Sequence, residues 1–192
     1  MTNQIYSLTK KFVIKSFADA NKINSVKHLV RTVYWVKYLY PKASEELLTA
    51  AISHDIVRAF ETPEYLQRFE KMKNRFINSK YLKVHQNTSA KIIKDFLTNN
   101  NIDKKSITII TKLIEKHEVG GDVYQNILKD SDSLSFFETS NKRFINMVKD
   151  GKETEERVKL KFDWMYNRIT SQKAKKIAYP LYKKSINKLK II

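Results

Sequence analysis

The sequence predicts an all-α fold, a single-domain helical bundle, and three observations carry that expectation. Apolar residues recur at helical spacing along nearly the whole chain. Only three Gly and three Pro occur among 192 residues, too few for the turns and bulges of a sheet protein. The polar connections between the periodic segments are short. A chain of this length builds one domain with a full core and is short for two. It has no internal repeat, no low-complexity tract and no break in composition, so one domain is expected over residues 1–192.

The elements follow in order. Residues 5–19 read as a first helix with Ile5, Leu8, Phe12, Ile14, Phe17 and Ala18 along its buried side. Asn24 or Ser25 caps a second, carrying Val26, Leu29, Val30, Val33, Val36 and Leu39. It stops before Pro41, because proline disfavours helical backbone in the residue preceding it. Ser44 caps a third, with Glu45 and Glu46 in the first turn where the helix dipole favours acids. This helix runs through Leu47, Leu48, Ala51 and Ile52 to about residue 59. Thr62-Pro63-Glu64 is a start signal, a capping hydroxyl with proline at the first helical position. The helix it opens is expected over 63–78, with Tyr65, Leu66, Phe69 and Met72 on one side. Residues 81–99 form the next, with Val84, Ile92, Ile93, Phe96 and Leu97, and Asn99-Asn100-Asn101 turns the chain. Asp103 caps a segment running from 107 to 117. Its β-branched stretch from Ile107 to Thr111 has strand propensity, but period and length favour a helix. Gly120-Gly121 ends it. Segments 122–138, 140–149, 152–170 and 171–190 complete the helical chain.

Composition narrows the chemistry. There is no Cys, which excludes disulfides and thiolate metal sites and leaves imidazole and carboxylate as metal ligands. No stretch approaches the roughly 18 apolar residues of a membrane helix. The opening MTNQIYSLTKK has no apolar leader segment, so a cytoplasmic protein is expected. The formal net charge is +17, which raises nucleic acid as a partner. Of the 37 basic residues, however, 30 are Lys and 7 are Arg, spread along every segment. Specific phosphate and base recognition leans on Arg forks. Nucleic acid is therefore not favoured, and a positive field that collects small anionic substrates is.

The four histidines are His28, His54, His85 and His117, each on or at the end of a different expected helix. Asp55 follows His54 directly, and Asp130 and Asp132 lie past the Gly120-Gly121 turn. Facing helices of a bundle each contribute one or two inward ligands to such a site. Imidazole and carboxylate suit iron, manganese, zinc or nickel. Neighbouring residues diverge by about 100° around a helix, so His54 and Asp55 converge only if the site sits at a helix end. One histidine alone more often packs or faces solvent, and four is an ordinary count. The signal is their order.

That order, with its local matches, resembles the two-metal variant of the HD-domain phosphohydrolase superfamily. Lys27-His28-Leu29-Val30-Arg31-Thr32-Val33 is similar to the first motif of that family. The run from Leu48 through Ala51-Ile52-Ser53-His54-Asp55-Ile56 is similar to its signature. Val84-His85-Gln86 and His117-Glu118-Val119-Gly120-Gly121 resemble the third and fourth elements. Asp130-Ser131-Asp132-Ser133-Leu134 resembles the last, whose second aspartate is the ligand. The motif core spans about 24–138, and the tail 139–192 is loosely similar, from Lys161 to Leu189, to that of small HD nucleotide hydrolases.

The resemblance implies a first metal held by His28, His54, Asp55 and Asp132. Asp55 then bridges to a second held by His85 and His117, the ions being divalent Fe, Mn, Ni, Zn or Mg. It implies hydrolysis of a phosphate ester or anhydride of a nucleotide or other small phosphorylated metabolite, with a metal-bridging hydroxide as nucleophile. Asp55, Arg58 and Lys116 are expected to take part in catalysis, and Arg31, Arg58, Lys116 and Arg168 in binding the substrate. Glu118 is expected to bond a ligand histidine or assist proton transfer, and Trp35 and Trp164 to pack in the core. The chain departs from the pattern at Lys116, where several two-metal members have another histidine, and at Ser133, where Arg is usual. Asp130 competes with Asp132, but two residues apart on a helix they face roughly 200° apart, and motif register favours Asp132. The same ligand order occurs in HD-domain diiron oxygenases that cleave C–C or C–P bonds. That alternative stays open, as does a nucleotide- or RNA-binding protein with a vestigial site.

Overall fold

The computed structural model describes residues 4–72 and 74–191, and among them finds eleven α-helices, two 3-10 turns and no strand. In chain order the helices are α1 (Gln4–Asp19), α2 (Val26–Leu39), α3 (Glu45–Ser53), α4 (Val57–Phe60), α5 (Pro63–Gln67) and α6 (Ser79–Asn99). Then come α7 (Lys104–Ile114), α8 (Val123–Thr139), α9 (Asn141–Lys149), α10 (Glu155–Asn167) and α11 (Gln172–Leu189). Three of the caps read from the sequence are present, while the one expected from Asn24 or Ser25 is not: a 3-10 turn over Ile23–Ser25 leads into α2, and Ser25, itself in helical conformation, makes no side-chain cap bond. Ser44 accepts from Leu47 N, Thr62 from Tyr65 N and Asp103 from Ser106 N. Asp122 and Gln125 form a reciprocal capping box at the start of α8. Each such cap is worth about 1 kcal/mol.

Two large apolar clusters build most of the interior, with smaller ones around Leu134 and Tyr81. The first joins α1, α2, α3, α6 and α7 through residues such as Phe17, Leu29, Ile52, Ile93 and Ile110. The second joins α9, α10 and α11 through Phe144, Phe162, Met165 and Leu189. α8 serves both: Leu128 enters the first, while Phe136 and Phe137 enter the second. Every residue of α8 from Leu128 to Phe137 is buried, so this helix carries polar groups into the space between the clusters.

Three boundaries differ from the sequence expectation. The helix expected to reach 59 stops at Ser53, where the chain tightens into a turn with Ile56 N bonded to Ser53 O and Arg58 N to Asp55 O, both at 3.0 Å. The helix expected over 63–78 is five residues long. Asn74 beyond it is left-handed (φ 50°), and Tyr65, Phe69 and Met72 instead gather around Tyr81 and Leu82. The helix expected to reach His117 ends at Ile114, and a turn closes with Gly120 N on Lys116 O at 2.7 Å. Gly120 sits at φ 75°, where an added Cβ would lie 2.2 Å from Asn126 Oδ1. The buried stripes are also narrower than expected. In α1 it runs through Thr9, Val13 and Phe17 at four-residue spacing, leaving Ile14 and Ala18 exposed, and Val30 and Val84 likewise face out. Among the described residues, no helix is long and apolar enough to cross a membrane.

Candidate metal centre

The two turns that interrupt the expected helices build the site. Because α3 ends at Ser53, His54 and Asp55 escape the divergence of neighbouring helical residues, and both side chains point into the gap beneath α8. Because α7 ends at Ile114, His117 and Glu118 do the same from the opposite side. His28 reaches in from α2, His85 from α6 and Asp132 from α8. Ligand atoms of His28, His54 and Asp132 lie within 4.8 Å of one another. So do those of His54, Asp55 and His117, and those of His85, His117 and Glu118. All seven side chains are buried except His28, which is partly so.

Hydrogen bonds settle which nitrogens face inward. His54 Nδ1 lies 2.9 Å from Ala51 O and His117 Nδ1 lies 2.8 Å from Ile114 O. A carbonyl only accepts, so each Nδ1 carries a proton and each Nε2 is the inward nitrogen, with a lone pair whenever the ring is neutral. Both Nε2 atoms are buried with no hydrogen-bond partner. At His28 the Ser135 hydroxyl donates to His28 O (2.7 Å) and so accepts from Nδ1 (2.9 Å). His28 Nε2 is thereby turned toward Asp132 Oδ1 at 2.9 Å. His85 Nε2 stands 2.6 Å from Asp55 Oδ1, and its Nδ1 is buried without a partner. Ring N–H groups anchored to fixed oxygen acceptors, with the other nitrogen aimed at a carboxylate cluster, are what metal-ligating histidines show. Leaving such lone pairs unmatched in a dry interior is costly, and a divalent cation satisfies them. The residues present fit a metal.

The electrostatics agree. Burial works to raise the carboxyls, but Arg58 and His85 hold Asp55 well below the usual carboxylate range. Arg168, with His28 and His54, does the same for Asp132. Glu118 is brought down to about 2 against burial, by Arg168 and Lys161. Burial, with repulsion from His54 and His85, takes His117 down to about 4 despite Glu118 and Asp55. Burial also disfavours charge on His54, yet Asp132 and Asp55 prevail and raise it to about 9. The carboxylates therefore draw positive charge onto His54, and a bound ion supplies that charge in place of a proton.

The other expected site residues divide. Arg58 lines the cavity beside the cluster and donates from Nε to Asp55 Oδ2 at 2.5 Å. Arg168 is buried and bridges Glu118 and Asp132, with Nε donating to Ser133 Oγ at 2.8 Å. It stands behind the carboxylates as their counter-ion rather than lining the cavity for substrate. The tail thus brings a guanidinium beside Ser133. Arg31 does not reach the site: Glu138 holds it at 2.7 and 2.9 Å, and it stacks on Tyr34. Lys116 does not either. It is exposed on the turn after α7, because the turn that points His117 inward points its neighbour out. Asp130 is engaged elsewhere, its two oxygens accepting from Thr170 N and Ser171 N at the start of α11. Trp35 is buried and donates to Glu138 at 2.8 Å.

A cavity of about 320 Å³ opens over the cluster. His28, Asp55, Glu118 and Asp132 form one wall, and Phe17, Leu29, Phe136 and Met165 supply apolar surface. Two cations that sequence reasoning missed, Arg143 on α9 and Lys161 on α10, also line it. Neither sits in a readable motif, and only the packing of the tail against α8 brings them there.

A family model described as "Domain of unknown function (DUF4202)" matches residues 11–187. No curated protein and no solved structure matches the chain.

Proposed function

The chain belongs to the DUF4202 family, whose description assigns no activity, and we propose from its site that it is a metal-dependent phosphohydrolase of the HD-domain type. Its substrate is a phosphate ester or anhydride of a nucleotide or other small phosphorylated metabolite. One observation carries this reading: a largely buried cluster of four histidines and three carboxylates opens, through His28, Asp55, Glu118 and Asp132, onto a cavity that Arg58, Arg143 and Lys161 also line. Metal ligands alone suit many reactions, but ligands facing a group of cations suit an anionic substrate.

In this reading His28, His54, Asp55 and Asp132 would hold one ion, and His85 and His117, with Asp55 beside them, would hold a second. Glu118, whose Oε1 lies 3.7 Å from His117 Nε2, adds a carboxylate on the side where the resemblance left a ligand missing. When bound, the ions supply water activation near neutral pH and neutralise phosphoryl oxygens. The chain does the rest. The carbonyls of Ala51 and Ile114 and the Ser135 hydroxyl orient the imidazoles and raise their basicity. Arg58 holds the Asp55 carboxylate in place and adds positive charge where phosphoryl charge builds in the transition state. Phe17, Leu29 and Met165 keep water from the cavity floor.

The test is a phosphate-release screen over nucleotides and sugar phosphates, with the protein loaded in turn with manganese, nickel, magnesium and iron. Phosphate release lost in Asp55→Ala supports the reading. Dioxygen uptake by the iron-loaded protein without phosphate release would favour the oxygenase alternative instead. Salt-sensitive RNA binding that survives His54→Ala with Asp55→Ala, without phosphate release by the unmodified chain, would favour a vestigial site.

A further inference from the structure

Four cations stand in or behind the cavity, and they fall into two kinds. Arg58 is paired with Asp55, and Arg168 with Glu118 and Asp132. Arg143 and Lys161 line the same cavity, yet among the described residues neither has a carboxylate oxygen within 4.0 Å. Lys161 is 7% exposed. Its ammonium has three donor hydrogens, and among the described residues one is used, to Phe76 O at 3.2 Å. The rings of Trp164 (4.4 Å) and Phe136 (5.8 Å) flank it. Arg143 stands at the mouth beside Thr139 and Ser140 and is exposed. Burial, with repulsion from Arg168 and Arg58, takes Lys161 down to about 8 despite Glu118 and Asp132.

Among the described residues no carboxylate contacts the Lys161 ammonium, on which Glu118 and Asp132 act only from beyond 4.0 Å, and a second cation beside the same cavity adds repulsion. Such a pair is relieved by an anion that is not part of the chain. The phosphoryl group at the metal cluster is not that anion, because Arg58 and the ions already serve it. We propose that Arg143 and Lys161 form a second anion subsite, so that the substrate is a small molecule with two phosphate groups, one hydrolysed at the metal cluster and one held here. This inference rests on the phosphohydrolase reading. The volume of about 320 Å³ lies at the low end of ligand pockets and keeps that molecule compact.

The test compares compounds that differ by one phosphate, adenosine monophosphate with diphosphate and a hexose monophosphate with its bisphosphate, on the manganese-loaded full chain. The added phosphate should raise kcat/KM by about tenfold or more, mainly through KM, the size of one charge-assisted contact. Arg143→Ala and Lys161→Met should each shrink that ratio. A ratio near one in the unmodified protein, or a ratio unchanged in both variants, overturns the subsite. If Lys161→Met lacks a cooperative thermal transition, Arg143→Ala at the exposed mouth decides alone. If no compound releases phosphate, titration calorimetry of the same pairs decides. Tighter binding of the doubly phosphorylated compound, lost in Arg143→Ala, supports the subsite while the hydrolase reading falls. Equal affinities overturn the subsite.

Discussion

Replacing Arg168 by Met removes the guanidinium that joins Glu118 to Asp132 and keeps most of the side chain's apolar stem. The three side chains are 6%, 5% and 8% exposed, so water cannot take over the lost contacts. Removing one partner of a buried ion pair costs about 3–5 kcal/mol, because the remaining charge stays desolvated and unmatched. Here two carboxylates lose the same partner, which places the loss at the upper end. A loss of ~5 kcal/mol corresponds to a fall of about 10–20 °C in Tm for a chain of this size. A divalent ion at the cluster would add to the positive charge that His28 and His54 give Asp132, so added manganese should narrow the gap between variant and unmodified protein. Thermal and urea unfolding in EDTA and in manganese measure both effects. A gap in EDTA below about 1 kcal/mol, the range of solvent-screened pairs, would refute the claim that Arg168 is the buried counter-ion. A gap that metal leaves unchanged would refute the link to the cluster.

Three further outcomes are expected. Ser135→Ala frees the His28 ring, and divalent-metal affinity should fall about 10- to 100-fold in competition with a chelator. Metal binding displaces the proton that the carboxylates hold on His54 up to about pH 9. Affinity should therefore rise with pH below that value, by about tenfold per unit for each proton displaced, and calorimetry in buffers of different ionisation enthalpy should detect the released protons. Gly120→Ala puts a Cβ into a left-handed position 2.2 Å from Asn126 Oδ1 and 2.9 Å from Lys129 Nζ. It should destabilise the chain by about 1–3 kcal/mol, read from urea unfolding.

The sequence carried the helical class because the periodic stripes are long, and seven of the described helix starts carry side-chain caps with ordinary chemistry. It was silent where tertiary packing overrides local preference. Nothing in Phe69, Met72 and Asn74 announces that the segment after Gln67 abandons the helix to gather around Tyr81. The divergence of adjacent helical residues required His54 and Asp55 to lie at a helix end, and α3 does stop at Ser53. The order of His and Asp residues therefore located the cluster correctly in space. The cations were harder to place, since a Lys or Arg belongs to a site only through what the tail packs against. Lys116, adjacent to a cluster histidine, faces solvent, and Arg31, within the first motif, is held by Glu138. Arg143 and Lys161, far along the chain, line the cavity.

The central claim is that the inward lone pairs of His54 and His117 and the carboxylates of Asp55 and Asp132 hold metal. Elemental analysis of the full chain after purification and dialysis against trace divalent metals tests it most directly, alongside Asp55→Asn, a near-isosteric change. Metal close to stoichiometric is expected in the unmodified chain and sharply reduced in Asp55→Asn, with a rise in Tm on metal addition confined to the unmodified chain. Trace metal only, with no shift in Tm, would contradict it, and so would equal metal content in the two proteins.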